Sequence, residues 1–276
     1  MAKKKKSLTT RIVNFFKLIF NVIKWIIKKI WGFFKWVFSI FKKANKKRRD
    51  IQIDNERPGT RAEFNPLKAI ESKEDIEKFE EVLYSNKSTI GLILGSRGAG
   101  KSALGMKILE NVVYKTKRKA CCMGFDIGTL PKWIKSVKEL DEVQNNSFLL
   151  VDEGGIEFSS RNSMSNSNKL LSSLLFISRH KDISVLFISQ NSANIEINTI
   201  RQSDYLLLKK PSLLQLDFER KVIKQIYAKA KEGFEKYSQD KGLVYLYSNQ
   251  FQGFASNTLP SFWNEEISRS YKNIKK

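Results

Sequence analysis

Residues 88–102 read Ser88-Thr89-Ile90-Gly91-Leu92-Ile93-Leu94-Gly95-Ser96-Arg97-Gly98-Ala99-Gly100-Lys101-Ser102. The first seven are an apolar, β-rich run of strand length, and the ALGMKILENVV after Ser102 has apolar residues at helical spacing. Between strand and helix stands G-x-x-x-x-G-K-S, the phosphate loop in the context it requires. Its glycines let the backbone curl so that successive N–H groups point at a phosphate, and the positive end of the next helix adds to the field. Gly95, Ser96, Arg97, Gly98, Ala99, Gly100, Lys101 and Ser102 are therefore the expected nucleotide cradle. Lys101 would reach the β- and γ-phosphates of ATP, and the Ser102 hydroxyl would bind Mg²⁺.

Two more apolar runs end in polar side chains. Ser147–Val151 leads into Asp152-Glu153. An Asp at the end of a buried strand can hold Mg²⁺, and an adjacent Glu can act as general base on the attacking water. The same pair standing alone could be an ordinary solvated turn. The spacing from Lys101 to Asp152 leaves room for a helix, a strand over Lys119–Phe125 and another helix after Pro131. Ser184–Ser189 ends in Gln190, placed to sense the γ-phosphate and orient water. Arg179 closes the expected helix Lys169–Ile177, either as a finger into a neighbouring subunit's site or as a cation at a helix C-terminus. His180 reads as structural. No N-K-x-D guanine signature appears, which favours an ATPase over a GTPase. Further apolar runs at Asp204–Leu208 and Leu243–Tyr247, around a basic helical insertion (217–235), would complete a mostly parallel α/β sheet spanning 64–276.

Composition narrows the classes further. The chain has 276 residues, with 41% apolar and 28% charged, the balance of a folded protein and not of a disordered one. Its two cysteines, Cys121 and Cys122, are adjacent and unsuited to bridging each other, and there is a single histidine. Disulfide scaffolds and His-rich metal sites are thereby excluded. Of the 50 basic residues, 16 lie in 1–49, where no acid occurs; the remainder has 34 basic against 28 acidic side chains. A mildly basic body thus follows a strongly cationic leader.

In that leader Asn14, Lys17, Asn21, Lys24, Lys28, Gly32, Lys35, Ser39 and Lys42 recur every three or four residues. On a helix they fall within an arc of roughly 80°, and every aromatic from Phe15 to Phe41 lies outside it. The pattern predicts a long amphipathic helix lying in the plane of an anionic membrane, with Trp25, Trp31 and Trp36 at the interface. A core helix of a soluble bundle, or several copies spanning the bilayer with their lysines inward, would show the same periodicity. Residues 50–63 lose the pattern and read as a linker through Pro58-Gly59. Ser72 is the expected N-cap of a helix containing Ile76, Phe79 and Leu83. Gly154–Asn168, where eight of residues 159–168 are Ser or Asn and Arg161 is the only charge among those ten, reads as a mobile loop or a pore loop touching DNA phosphates.

The block SRHKDISVLFISQ following FLLVDEGG resembles the additional-strand (RecA-like) ATPases of the HerA/FtsK superfamily. Within that superfamily it is most similar to Zot-like morphogenesis ATPases and viral genome-packaging ATPases. The likeness covers roughly residues 88–209, with a weaker one at Leu259–Glu266. It implies a homo-oligomeric ring with Arg179 acting in trans, and ATP-driven movement of DNA gripped by its phosphate backbone. A Zot-like protein would instead drive virion assembly or extrusion from the cytoplasmic face of a membrane, with a capsid or coat protein as partner. A third expectation is a nucleotide-dependent membrane switch that moves nothing.

Overall fold

The computed structural model describes residues 24, 25, 28, 29, 31, 32, 34–42, 55–71, 75–152, 164–264 and 267, with 164–171 through their backbone alone. The chain divides into two units, Met1–Glu56 and Arg57–Lys276. In the first, the described positions between 24 and 42 are helical. Trp25, Trp31, Phe34, Trp36, Phe38 and Phe41 are exposed there, Lys29 lies over the Trp25 ring and Lys35 over that of Trp31. Among the described residues no helix is long and apolar enough to cross a membrane.

The second unit is built on one nine-stranded sheet. Its strands are β1 (Lys68–Ile70), β2 (Ile90–Leu94), β3 (Lys119–Met123), β4 (Ile134–Ser136), β5 (Ser147–Asp152), β6 (Ser184–Ser189), β7 (Tyr205–Leu208), β8 (Leu243–Ser248) and β9 (Gln252–Ser256). They run in the order β1-β9-β8-β7-β2-β6-β5-β3-β4. The six strands from β7 to β4 are mutually parallel, and β8, β9 and β1 extend the sheet antiparallel. The unbroken apolar reading of β2, β5 and β6 is what a parallel strand covered on both faces requires.

The cover is helical. On one face α1 (Ile76–Ser85) and α2 (Lys101–Lys115) bury Phe79, Leu83, Leu104, Ile108 and Val112 against Ile93, Leu150, Leu186 and Leu207. On the other, α3 (Met164–His180) and α6 (Lys221–Lys236) bury Leu174, Leu175, Ile223 and Ala230 against Leu92, Leu94, Leu149 and Val185. Successive strand residues alternate between the two cores, the period-two signature of a two-sided sheet. Two short helices, α4 (Ile197–Arg201) and α5 (Leu213–Phe218), fill connections.

Several expectations are corrected. Asp75, not Ser72, caps α1, its carboxylate accepting from Glu77 N at 2.9 Å. No α-helix follows Pro131: that stretch forms β4, because it pairs with Ala120–Cys122 of β3 while Arg57 donates to the carbonyls of Leu130, Pro131 and Ile134. The expected helix Lys169–Ile177 is longer, Met164–His180, so its first turns take up the end of the stretch read as a loop. The basic insertion is two helices, α5 and α6, broken at Glu219-Arg220. There the Glu219 carboxylate accepts from Ser192 N at 3.0 Å and Arg220 donates to Ile195 O at 2.8 Å.

Residues 57–63, the end of the expected linker, are fastened to the body. Lys132 N donates to Pro58 O at 3.1 Å and Trp133 Nε1 to Thr60 O at 3.0 Å. The anchor of this strap is Glu110 on α2, fully buried and paired with Lys107 Nζ at 3.0 Å. Its carboxylate also accepts from Glu63 N and from Ser261 N, each at 3.1 Å, so it clamps the chain on entry and exit. Removing one partner of such a pair leaves a buried charge unpaired. Glu110→Ala should therefore cost about 3–5 kcal/mol of stability, measured by denaturant unfolding, with faster proteolysis of both strapped segments.

Candidate nucleotide-binding site

The phosphate loop lies where the sheet holds it most firmly. Strand β2 is buried at every position and pairs in parallel with β6 on one side and β7 on the other. Leu94, its last residue, is level with Ser189 and Leu208, so the loop, Gln190 and the segment after β7 leave the same sheet edge together. At Gly95 the backbone has φ +153°, and a Cβ there would lie 2.7 Å from Lys209 Cβ. Gly98 (φ +79°) and Gly100 (φ +85°) curl the loop, and both are exposed. Gly100 is the N-cap of α2, so no side chain competes with an anion for the first helical N–H groups.

Lys101 folds back over the loop. Its Nζ donates to Gly95 O and Ser96 O, both at 2.8 Å, which holds the turn in its curled form. Ser96 ties the loop sideways, its N and Oγ donating to Lys210 O at 3.2 and 2.9 Å. Ser102 Oγ stands 3.5 Å from Asp152 Oδ2 at the end of β5. Two oxygens bound side by side to one octahedral Mg²⁺ are about 3 Å apart, and Mg²⁺ takes one or two carboxylates with phosphate and water oxygens. The donor set at this point, one hydroxyl and one carboxylate, fits that ion. No cluster of three or more His, Cys, Asp or Glu side chains suited to a metal occurs among the described residues. The histidine and cysteines enter no such site.

The strand order carries the further point. Between β2, which bears the loop, and β5, which bears Asp152, lies β6. This interposed strand ends beside both at Gln190, which is exposed. The fold is thus an α/β P-loop fold of the additional-strand type, with a mostly parallel sheet.

Arg179 stands apart from this edge. It is exposed at the end of α3, and Ile183 N returns to Ser178 O just before β6 begins. Arg179 is therefore at the opposite sheet edge, the length of β6 away, roughly 17 Å. His180 is exposed there against the Phe176 ring. Glu153 and Arg161 fall outside the described residues.

One residue of the site escaped the sequence reading. Lys209, the first residue past β7, is 3% exposed and threads beneath the loop from Gly95 to Gly100. Its N donates to Leu94 O at 2.8 Å and its Nζ to Lys241 O at 3.2 Å. Burial pushes its ammonium down to about 8, against a smaller opposing effect of Asp240. The available signal was positional: a lysine one step beyond the strand that neighbours the loop strand.

No protein-family model matches the sequence, and no curated protein matches it. Similar solved structures include the genome packaging NTPase B204 from Sulfolobus turreted icosahedral virus 2 in complex with AMPPCP. That pair shares 13% identity over 63% of this chain and 99% of the other, with a TM-score of 0.44. The DNA-packaging ATPase B204 from Sulfolobus turreted icosahedral virus gives 14% identity, 63% and 98% coverage and a TM-score of 0.44. The FIGL-1 AAA domain in complex with ADP gives 14% identity, 60% and 63% coverage and a TM-score of 0.30. At such identities these likenesses assign no activity to this chain, and the site stands on its own geometry.

Two glycine substitutions share the strain of a positive φ and differ in the space a side chain would meet. Gly100→Ala meets nothing closer than 3.7 Å and should cost about 1 kcal/mol for its left-handed backbone. Gly95→Ala collides with Lys209 and should cost about 1–3 kcal/mol and weaken binding of a fluorescent ADP at least tenfold. Thermal unfolding and fluorescence titration of both variants check the order.

Proposed function

We propose that the chain is a Mg²⁺-dependent ATPase that converts ATP hydrolysis into movement of DNA, as in viral genome packaging. The observation that carries the ATPase reading is the Ser102–Asp152 approach across the interposed strand β6. That placement provides a phosphate cradle, a metal position and a polar strand tip at one edge. Bound Mg²⁺ would neutralise charge on the β- and γ-phosphates. The protein's own part is electrostatic and positional. Lys101 leaves the loop carbonyls for the phosphates, the loop N–H groups orient them, and Gln190 polarises water at the γ-phosphate. Glu153, next to Asp152, serves as general base.

DNA as the moved polymer is supported by the resemblance of the Arg179-to-Gln190 block to HerA/FtsK motors. A second support is the exposed face of α6, which carries Lys221, Lys224, Lys229 and Lys231 against Glu232 and Glu235, beside Lys236 paired with Glu71. Lysines of this kind grip phosphates without reading sequence. Because Arg179 lies at the far edge of its own sheet, a catalytic role for it requires a neighbouring subunit, which suits a homo-oligomeric ring.

One observation favours a second reading, a membrane-anchored assembly or extrusion ATPase of the Zot-like kind acting with a coat protein. Among the described residues, the leader leaves six large aromatic side chains exposed beside lysines. That suits attachment to the cytoplasmic face of an anionic membrane. A slow nucleotide switch on the membrane would share this leader but show no stimulation by DNA.

Two experiments test these readings. ATP turnover should vanish in Lys101→Ala and rise severalfold in the wild type on adding double-stranded DNA; turnover in the variant sinks the enzyme reading, and indifference to DNA favours the second. Deleting residues 1–49 should release the protein from anionic liposomes in flotation assays and leave basal turnover near the full-length rate. A truncated protein that still floats would place the membrane site in the body.

A further inference from the structure

Lys209 is an unusual residue to find in this position. An ammonium gains little from a site where its hydration is removed, and Asp240 offsets only part of that loss here. A Cβ placed on Gly100 would be 3.7 Å from Lys209 Cε and 4.0 Å from its Nζ, so the charge sits behind the first turn of α2. That is the positive end of a helix fifteen residues long. The loop beside it carries Arg97 and Lys101, the turn before β8 carries Asp240 and Lys241, and Lys210 follows it in the chain. From α6, Tyr227 donates through its hydroxyl to Lys209 O at 3.4 Å. Asp240 is the only acid in this group, and the one backbone acceptor seen on Nζ is Lys241 O.

Without nucleotide this arrangement is costly, because burial strips the ammonium of its hydration behind a helix N-terminus. An anion on the loop reverses the balance. We propose that Lys209 is a positioning residue of the phosphate site, a second cation whose charge, held behind Gly100, strengthens binding of the nucleotide's phosphates. The proposal rests on the nucleotide reading of the loop. It adds that the loop is charged from both sides, by Lys101 over it and by Lys209 beneath it. Lys209 does not replace Lys101, which alone reaches the phosphates.

Two consequences have opposite signs, and a merely structural lysine would not produce both. First, the folded empty protein disfavours the charged form, which burial depresses to about 8. Its folded value lies below the ordinary lysine value of about 10.4, so the unfolded chain binds more protons between the two and stability rises with pH across that window. Lys209→Met, which removes the charge and keeps the stem, should raise the melting temperature of the empty protein at pH 7 by a few degrees. Second, bound phosphate favours the charged form and raises its proton affinity. Nucleotide affinity is then greatest below about pH 8 and falls as pH rises and the free protein loses this charge. Phosphate groups have a second pKa of about 6, so the ligand itself stays ionised throughout that range.

The experiment is calorimetric titration of full-length protein with Mg-ADP from pH 7.5 to 9.5, in two buffers of different ionisation enthalpy. Wild type should take up a fraction of a proton near pH 8.5 and lose about fivefold in affinity over the range, the result of a tenfold gain in proton affinity on binding. Lys209→Met should bind several-fold more weakly at pH 7.5, with no proton uptake and a flat profile. Equal affinity and equal pH dependence in the two proteins would overturn the role of Lys209 while leaving the nucleotide site intact. Wild-type binding without proton uptake near pH 8.5 would overturn it even if the variant failed to fold. No binding by the wild type at any pH would remove the nucleotide reading itself.

Discussion

Everything at the candidate site depends on the burial of β2. A strand covered by helices on both faces and paired on both edges has no freedom to slide or tilt, so the point where it ends is fixed in space. Gly95 is that point. Because parallel neighbours β6 and β7 end level with it, Gln190 and Lys209 emerge beside it, and β5, one strand further out, delivers Asp152. The loop needs few contacts of its own to keep its shape. Two carbonyls on Lys101 and the bonds from Ser96 N and Oγ to Lys210 O complete what the sheet begins.

The legible parts of the sequence were those whose physical environment is extreme. β2, β5, β6 and β7 are buried all round, so they read as short unbroken apolar runs, and the phosphate loop could be placed between strand and helix without further help. β8 was readable for the same reason. β1, β4 and β9 were not: they are three to five residues long, partly exposed and held by pairing with β9, β3 and β8. The segment after Pro131 misled because it is held by pairing with β3 and by Arg57, more than seventy positions away. Nothing local announces that contact. Lys107 and Glu110 stand three residues apart on a helix, a spacing that solvated pairs share, and only the packed chain entry and exit turn them into a buried clamp. Lys209 is hidden by the same ambiguity, since a lysine beyond a strand ordinarily extends into water.

Charge is distributed in two different patterns. In the body, cations meet at one sheet edge, where Lys101, Lys209 and the start of α2 address a space small enough for phosphates. In the leader the cations alternate with exposed aromatic rings, a pattern that suits a broad interface wet on one side and apolar on the other. The two units are separate in the chain and in their chemistry, and Arg57, bound into the body by three carbonyls, marks where one gives way to the other.

The central claim is that the loop and Asp152 form one Mg–nucleotide site. It is tested most directly by measuring the affinity of a non-hydrolysable ATP analogue with and without Mg²⁺, in the wild type and in Asp152→Asn. The account predicts that Mg²⁺ tightens binding to the wild type by tenfold or more and loses most of that effect in the variant, with metal-free affinity unchanged. Equal Mg²⁺ dependence in both proteins, or no binding of the analogue by either, would contradict it.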